Sequence, residues 1–595
     1  MSLFRDLLIE KKRRKYYCEV EYIESNSTRY IDTGYKPNNN TTIEFITSFT
    51  GAFNITACRW TGSPTLDTYG FFKSTSTNLN KPLVCYYGSY SDNKVAYSYN
   101  YVDGTKVKII LNPTFVSVKS VDNTSYSSET AITQDTYQSI YNLYIFENNN
   151  MGSASGSNAG TCKIYYFKIY ENGVLIRDLI PVLDWSYVPC MYDKVSGKLF
   201  YNQGTGSFTY GREIHYVDYL ESTGTQYIDT GIYLTNNHSV ELDYQLTSAS
   251  QNRKGIFGGL VANGARYGAL LSPSNNYLEF GYGSTNVWYQ PGLPDTNRHV
   301  MKQEKNLLYF DGSLAYTFNT ATFTQDFTAP LGNFNYTNYN PASAKYYASK
   351  WWNDDTLVRD YLPAIDENGV GFMFDRVQHL IYDNAGTGVF KYPAKELEYI
   401  RTTGSQYVDT GYMPNQDTKI DLVGKFNDTY PGCLWATRWS QSPNYDTYGA
   451  YAENNTAGML YIYYGRYSDG NFTSVSNATF PHRDGNFIRF IQDKNTLDFT
   501  NLGTSDNWTY TFNEATFQST RSLTLFYFNS SSAFATKGGY IKSCKIWDDD
   551  TLVRDFIAAY KDGVVCMVDK LTGTAYLNQG SGSFTRGKIV EPRYE

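Results

Sequence analysis

The sequence predicts an all-β protein: three tandem antiparallel two-sheet sandwiches preceded by a short N-terminal helix. Three observations predict it. Two sequence blocks occur three times along the 595 residues, polar and apolar residues alternate with a period of two inside each copy, and helical apolar spacing is confined to the first fifteen residues. The composition agrees. Aromatics make up 17% and the formal charge is −7, so the chain is neither an acidic disordered tract nor a basic nucleic-acid binder. No apolar run is long enough to span a membrane. Tyrosine dominates, with 58 residues against 34 Phe and 9 Trp, and the question is whether these rings serve the fold or a binding face.

The N-terminal element comes first. Residues 1–15 carry six basic and two acidic side chains, leaving a body of 45 basic against 56 acidic residues. Leu3, Phe4, Leu7 and Leu8 stand at helical spacing, and Arg13 and Arg14 lie in the basic run that follows. A secretory signal has its positive charge first and an uninterrupted apolar stretch next; here Asp6 and Glu10 break the stretch and the charge follows it. These six residues are the expected docking surface of an amphipathic anchor over residues 1–18, with a solvated, frayed terminus as the competing expectation.

The copies follow, expected at 19–212, 213–393 and 394–595. Tyr22-Ile23-Glu24-Ser25 with Tyr30-Ile31-Asp32-Thr33-Gly34 returns as Tyr219-Leu220-Glu221-Ser222 with Tyr227-Ile228-Asp229-Thr230-Gly231. It returns again as Tyr399-Ile400-Arg401-Thr402 with Tyr407-Val408-Asp409-Thr410-Gly411. Each copy closes on an Arg-Asp pair (Arg177-Asp178, Arg359-Asp360, Arg554-Asp555) and a glycine-rich end: NQGTGSF, DNAGTGVF and NQGSGSF. The opening and closing Asp are 146, 131 and 146 residues apart, so copies one and three are the closer pair. Ser239 to Leu246 alternates polar and apolar, as a half-buried strand requires, and Thr42–Phe45 and Lys419–Leu422 repeat the period at matching places. Gly, Asn, Asp and Ser clusters between the runs supply hairpin turns. Many short strands in a unit of this size predict a jelly roll; a continuous solenoid would repeat every few tens of residues.

These paired blocks resemble those of concanavalin A-like, laminin-G-like jelly-roll modules, which occur in tailed-bacteriophage virion proteins and in surface proteins of gut bacteria. The resemblance covers residues 19–595. It implies two curved sheets, with carbohydrate or cell-surface recognition on the concave face or the rim loops.

Chemistry-bearing residues are sparse. Cys190 and Cys566 align with Phe372, Cys544 with Phe167 and Cys85 with Ile462, so the eight cysteines are expected to act as small buried hydrophobes and not to form disulfides. No C-x-x-C pair exists, and neither a cofactor nor a metal site is expected; calcium has carboxylates available but no spaced acidic loop. The five histidines occupy unrelated places in the copies and lack a nucleophile motif. A glycosidase would need paired carboxylates on one strand face. Glu241 and Asp243 begin such a pattern and Gln245 and Leu246 end it, while Glu44 and Asp421 stand alone at the matching position. No enzymatic activity is expected. The repeated Asp of D-T-G and the repeated Arg-Asp are expected to cap turns or pair strands, and the glycine-rich ends to be hairpins, since they lack the Lys-Ser/Thr of a phosphate loop.

Candidate binding residues are those shared by copies one and three and missing from copy two. They are Trp60, Asp67, Tyr69, Tyr87 and Tyr90, and correspondingly Trp439, Asp446, Tyr448, Tyr464 and Tyr467. Aromatic faces beside carboxylates suit sugar rings; retention of the same core in recent duplicates is the alternative. The resulting expectation is a non-enzymatic, homo-oligomeric virion protein, made in the host cytoplasm, docked to other virion proteins by its N-terminus and presenting lectin-like domains to host surface polysaccharide. Two alternatives stand beside it: a purely structural decoration or tail protein, and a bacterial surface carbohydrate-binding or glycosidase-like protein.

Overall fold

The structure is a computed structural model that describes residues 15–592 apart from 27, 64, 74–82, 89–93, 98–101, 122–126, 134–135, 156–159, 261–264, 273–276, 290–293, 336–339, 427–431, 442, 453–457, 531–533 and 536–538. Strands account for almost all regular structure among the described residues, with one 3-10 turn at Tyr467–Asp469. The expected N-terminal helix, with Leu3, Phe4, Leu7, Leu8, Arg13 and Arg14, lies outside the described residues. No helix among the described residues is long and apolar enough to cross a membrane.

Two units compose the chain: Met1–Phe390 with Glu591–Glu595, and Lys391–Val590. The second unit is copy three, and it shows the plan most simply. One sheet runs Asn507–Thr511, Thr496–Asn501, Ile488–Asp493, Thr418–Phe426, Gly539–Asp548, Thr551–Lys561, Val564–Asp569 and Thr574–Tyr576. The facing sheet runs Val408–Asp409, Thr524–Leu525, Gly432–Arg438, Thr447–Ala452, Met459–Gly465 and Phe472–Ser476. Thr418–Phe426 alternates buried and half-buried side chains along its whole length, so one face enters the core and the other meets solvent. Trp435 from the second sheet meets Phe490 of the first edge-on at 5.3 Å, and both are fully buried. This is the two-sheet antiparallel sandwich that the alternation predicts.

Copies one and two make the first unit, and they share a sheet. The strand Glu213–Tyr216 pairs backwards with Cys18–Val20 of copy one and forwards with Thr356–Ile365 of copy two. The connection expected as a boundary at 212/213 is thus a hydrogen-bonded strand inside a continuous sheet. At the other end, Tyr16, Tyr17 and Cys18 are buried, so the sandwich begins before residue 19. All three copies carry a β-bulge at the same place in their longest pairing, between Ile164 and Tyr166, Asp243 and Tyr244, and Val423 and Gly424.

The repeated blocks form one lock. The D-T-G aspartates accept from the glycine amide two residues on (Asp32, Asp229 and Asp409 at 2.8, 3.0 and 2.9 Å), an Asx turn. The threonines donate across to Leu143, Ala329 and Leu523 carbonyls. Arg177, Arg359 and Arg554 of the closing block donate to the carbonyls of Thr33, Thr230 and Thr410, which ties the two blocks together. The asparagine of each glycine-rich end accepts from the opening tyrosine amide (Asn202, Asn384 and Asn578 at 3.0, 3.1 and 3.1 Å). A Cβ at Gly204, Gly386 or Gly580 would fall within 2 Å of a backbone carbonyl oxygen of the opening loop, so only glycine fits there.

Candidate functional site

In copy three the second sheet carries aromatic rings on the face turned away from the core. The register pairs Tyr451 with Tyr461, Gly449 with Tyr463, and Tyr463 with Phe472, which places these residues on one face of three adjacent strands. Tyr451 lies 5.5 Å from Tyr461 and 6.0 Å from Tyr463, with planes 21° and 5° apart. Tyr467 and Phe472 continue the series at 4.8 Å and 21°. Tyr445 closes it edge-on to Tyr467 at 6.1 Å. Phe472 and Tyr445 are each 38% exposed, Tyr461, Tyr451 and Tyr467 are half-buried, and Tyr463 is buried.

Arg438 anchors the group. Its guanidinium lies 5.1 Å from the Tyr445 ring centre, 4.6 Å from Phe528 and 5.9 Å from Tyr463, while Nε donates to Thr447 Oγ1 at 2.8 Å. Gly449 lies at φ +139°, and a Cβ there would meet the Trp435 carbonyl oxygen at 2.4 Å, so the position paired with Tyr463 carries no side chain. A series of near-parallel rings with two exposed members, Phe472 and Tyr445, phenolic hydroxyls and a cation offers apolar contact to C–H faces and hydrogen bonds to hydroxyls.

The sequence candidates divide differently from expectation. Tyr69, Tyr87, Tyr448 and Tyr464 are core residues: all four are almost completely buried, and Tyr87 and Tyr464 donate to the carbonyls of Asn39 and Gln416, each at 2.8 Å. As candidate binding residues they therefore face the core, and burial pushes the Tyr69 and Tyr448 hydroxyls far above the usual phenol range. Trp60 and Trp439 are half-buried and stack on Tyr137 and Phe517 at 5.3 and 5.6 Å, sealing the rim of the core. Asp67 and Asp446 close the hairpin loops that these tryptophans open, each accepting from the Trp amide at 3.1 Å. Tyr467 is the one described candidate that joins the outer aromatic group. Tyr90 lies outside the described residues.

The missed residues sit beside the chosen ones. Tyr463 adjoins Tyr464, and successive strand residues point to opposite faces, so composition marked the pair and parity decided which ring faces out. Copy one repeats this on a smaller scale, where Phe72 and Tyr86 stack at 4.9 Å on the outer face.

The carboxylates of the glycosidase pattern are engaged in pairing. Arg298 donates to both oxygens of Asp243 at 2.7 and 2.6 Å and lies 3.7 Å over the Tyr347 ring. Glu241 borders a shallow pocket of about 230 Å³ with Lys302, Glu304 and Tyr309; burial raises its pKa above the ordinary carboxylate range, against the pull of Lys350 and Lys302. In copy one Glu44 accepts from Lys108 at 2.9 Å and Tyr166 at 2.7 Å, and in copy three Arg489 holds both oxygens of Asp421. All eight cysteines are buried, and none forms a disulfide.

No family model matches the chain, and no curated protein matches it. Solved structures similar to it include the LG1-3 region of the laminin alpha2 chain, with 10% identity, a TM-score of 0.24, and coverage of 96% of this chain and 100% of that one. Another is domains LG4-5 of the mouse laminin alpha1 chain, with 13% identity, a TM-score of 0.26, and coverage of 64% of this chain and 96% of that one. At such TM-scores nothing is carried over from them. The sandwich assignment rests on the strand order and the two-sheet cores described above.

Proposed function

We propose that this chain is a non-enzymatic carbohydrate-binding protein whose principal binding face is the outer aromatic group of copy three. The observation that carries the reading is the series Tyr461, Tyr451, Tyr463, Phe472 and Tyr467 on the face turned away from the sandwich core, in which Tyr463 is buried, Tyr461, Tyr451 and Tyr467 are half-buried and Phe472 is exposed, with Arg438 against it. Sugar rings present C–H faces to aromatic surfaces and hydroxyls to phenols and guanidinium groups, so an arrangement of this composition suits them. Copy one, with Phe72 and Tyr86, is a weaker second face. The carboxylate pairing at Asp243 and Asp421 supports binding over hydrolysis. The test is a glycan array with the full chain. A selective signal should fall about tenfold or more with Phe472→Ala combined with Tyr445→Ala, at unchanged melting temperature. Binding that survives this double substitution, or release of reducing sugar from a bound glycan, would overturn the reading.

A basic, amphipathic N-terminus followed by three sandwiches suits a virion protein, assembled in a host cytoplasm as an oligomer, that docks by its first residues and presents the sandwiches to cell-surface polysaccharide. Deletion of residues 1–15 should abolish particle incorporation and leave glycan binding intact.

A further inference from the structure

The strand that links copies one and two carries a buried cluster unrelated to the aromatic face. Glu213 and His215 alternate along Glu213–Tyr216 and therefore share a face. The antiparallel partner Cys18–Val20 pairs Val20 with Glu213 and Glu19 with Ile214, which sets Cys18 beside His215 on that face. One ligand atom from each of Cys18, Glu213 and His215 lies within 4.8 Å of the other two, and all three residues are buried. His215 Nε2 is 2.9 Å from Glu213 Oε2, and its Nδ1 is 2.9 Å from Oε1 of Glu591, a residue of the same unit.

The repeat shows that the fold does not demand this cluster. In copy three the equivalent strands bridge at Leu397 and Ile589, which match Val20 and Glu213. There Lys395 stands in place of Cys18 and Ile589 in place of Glu213. An apolar residue therefore serves at the position where the first unit buries a carboxylate beside an imidazole and a thiol. Interring such groups is costly unless they bind something or one another.

We propose that Cys18, Glu213 and His215 form a zinc site at the junction of copies one and two, with Glu591 orienting the histidine from outside the coordination sphere. Sulfur, imidazole nitrogen and carboxylate oxygen are a zinc donor set. A carboxylate on the far ring nitrogen of a ligating histidine is the usual arrangement that fixes its tautomer. His215 would bind through Nε2 with its Nδ1–H donated to Glu591. Cys18 would bind as the thiolate, its proton released to solvent, so uptake becomes weaker as pH falls. Because the ligands come from the first strand of copy one and from the linking strand, the metal would fasten the start of the chain's first sandwich to the connection into the second.

The experiment uses the full chain. Wild-type protein produced in zinc-supplemented medium should retain one zinc per chain after dialysis, and chelator should lower the melting temperature of the first unit. Titration of the stripped protein with Co²⁺ alone should produce a thiolate-to-cobalt charge-transfer band, absent in Cys18→Ser. Glu591→Gln should keep the band and weaken cobalt affinity by roughly 10–100-fold. The wild-type titration does not depend on any variant folding. Wild-type protein without stoichiometric zinc, without a thiolate–cobalt band and with a melting temperature indifferent to chelator would overturn the site.

Discussion

Copies two and three build the same outer sheet and put opposite chemistry on it. Tyr267 and Tyr282 in copy two pair and point inward, as Tyr448 and Tyr464 do in copy three. On the outward face, Tyr451, Tyr461 and Tyr463 of copy three are matched in copy two by Leu270, Glu279 and Gly281. Arg266 crosses over Gly281 to pair with Glu279, and Asn286 donates to the same carboxylate at 2.8 Å. The inner face is therefore a requirement of the sandwich, while the outer face is free to differ. One copy uses it for a self-satisfied polar network and another for a series of packed aromatic rings. Identical backbones with divergent outer faces locate specificity outside the core.

The strongest way to break this comparison is to attack what the copies share. Gly268 and Gly449 lie at φ +133° and +139°, and a Cβ at either would meet a backbone carbonyl oxygen at 2.2 and 2.4 Å. Gly268→Val and Gly449→Val should each destabilise their own copy by more than about 3 kcal/mol, read by hydrogen exchange or denaturant melts. A large cost in one copy and none in the other would show that the backbones are not equivalent.

Acid separates the copies next. His482 of copy three is buried, and desolvation pushes its pKa down to about 4, against the pull of the Phe480 carbonyl. A folded pKa below the unfolded value means that the unfolded chain binds the extra proton. The stability is thus full above about 6.5 and falls as pH drops toward about 4, by on the order of 3 kcal/mol. The matching position in copy one is Tyr101. Acid melting of the second unit should be blunted by His482→Gln, and an unchanged pH slope would refute the assignment.

A smaller effect tests the outer face directly. Phe472→Ala alone should weaken glycan binding by about tenfold, corresponding to about 1.4 kcal/mol, whereas Arg266→Ala in copy two should leave it unaltered. Equal losses from both would place the binding face elsewhere.

The ion pairs give the smallest and most graded contrast. Asp243–Arg298 of copy two is better shielded than Asp421–Arg489 of copy three: the aspartates are 6% and 18% exposed, the arginines 33% and 50%. Asp243→Asn should cost about 1–2 kcal/mol, and Asp421→Asn less than about 1 kcal/mol, by thermal melts.

Much of this was legible in the sequence for identifiable reasons. The threefold blocks mark positions the backbone cannot do without: an Asx turn at Asp32, Asp229 and Asp409, an arginine reaching the threonine carbonyl, and a glycine where another backbone passes too close. Such local demands leave fixed residues behind. The aromatic face was not legible in the same way. Tyr463-Tyr464 and Tyr86-Tyr87 each put one ring inside and one outside, and nothing local says which, because a shift of one residue in register exchanges the faces. Tyr448 and Tyr464 lie on the side that the core takes.

What the sequence determined by itself is the repeat, the all-β class and the turns, since periodicity and turn chemistry act over a few residues. What only the tertiary structure decided is which rings look outward and which distant groups meet. Tyr445 and Tyr467 meet at the end of two paired strands, Arg298 finds Asp243 from a neighbouring strand, and Cys18 comes to lie beside His215 from nearly two hundred residues away. Those meetings depend on strand pairing and register. Long-range pairing, not local preference, sets them.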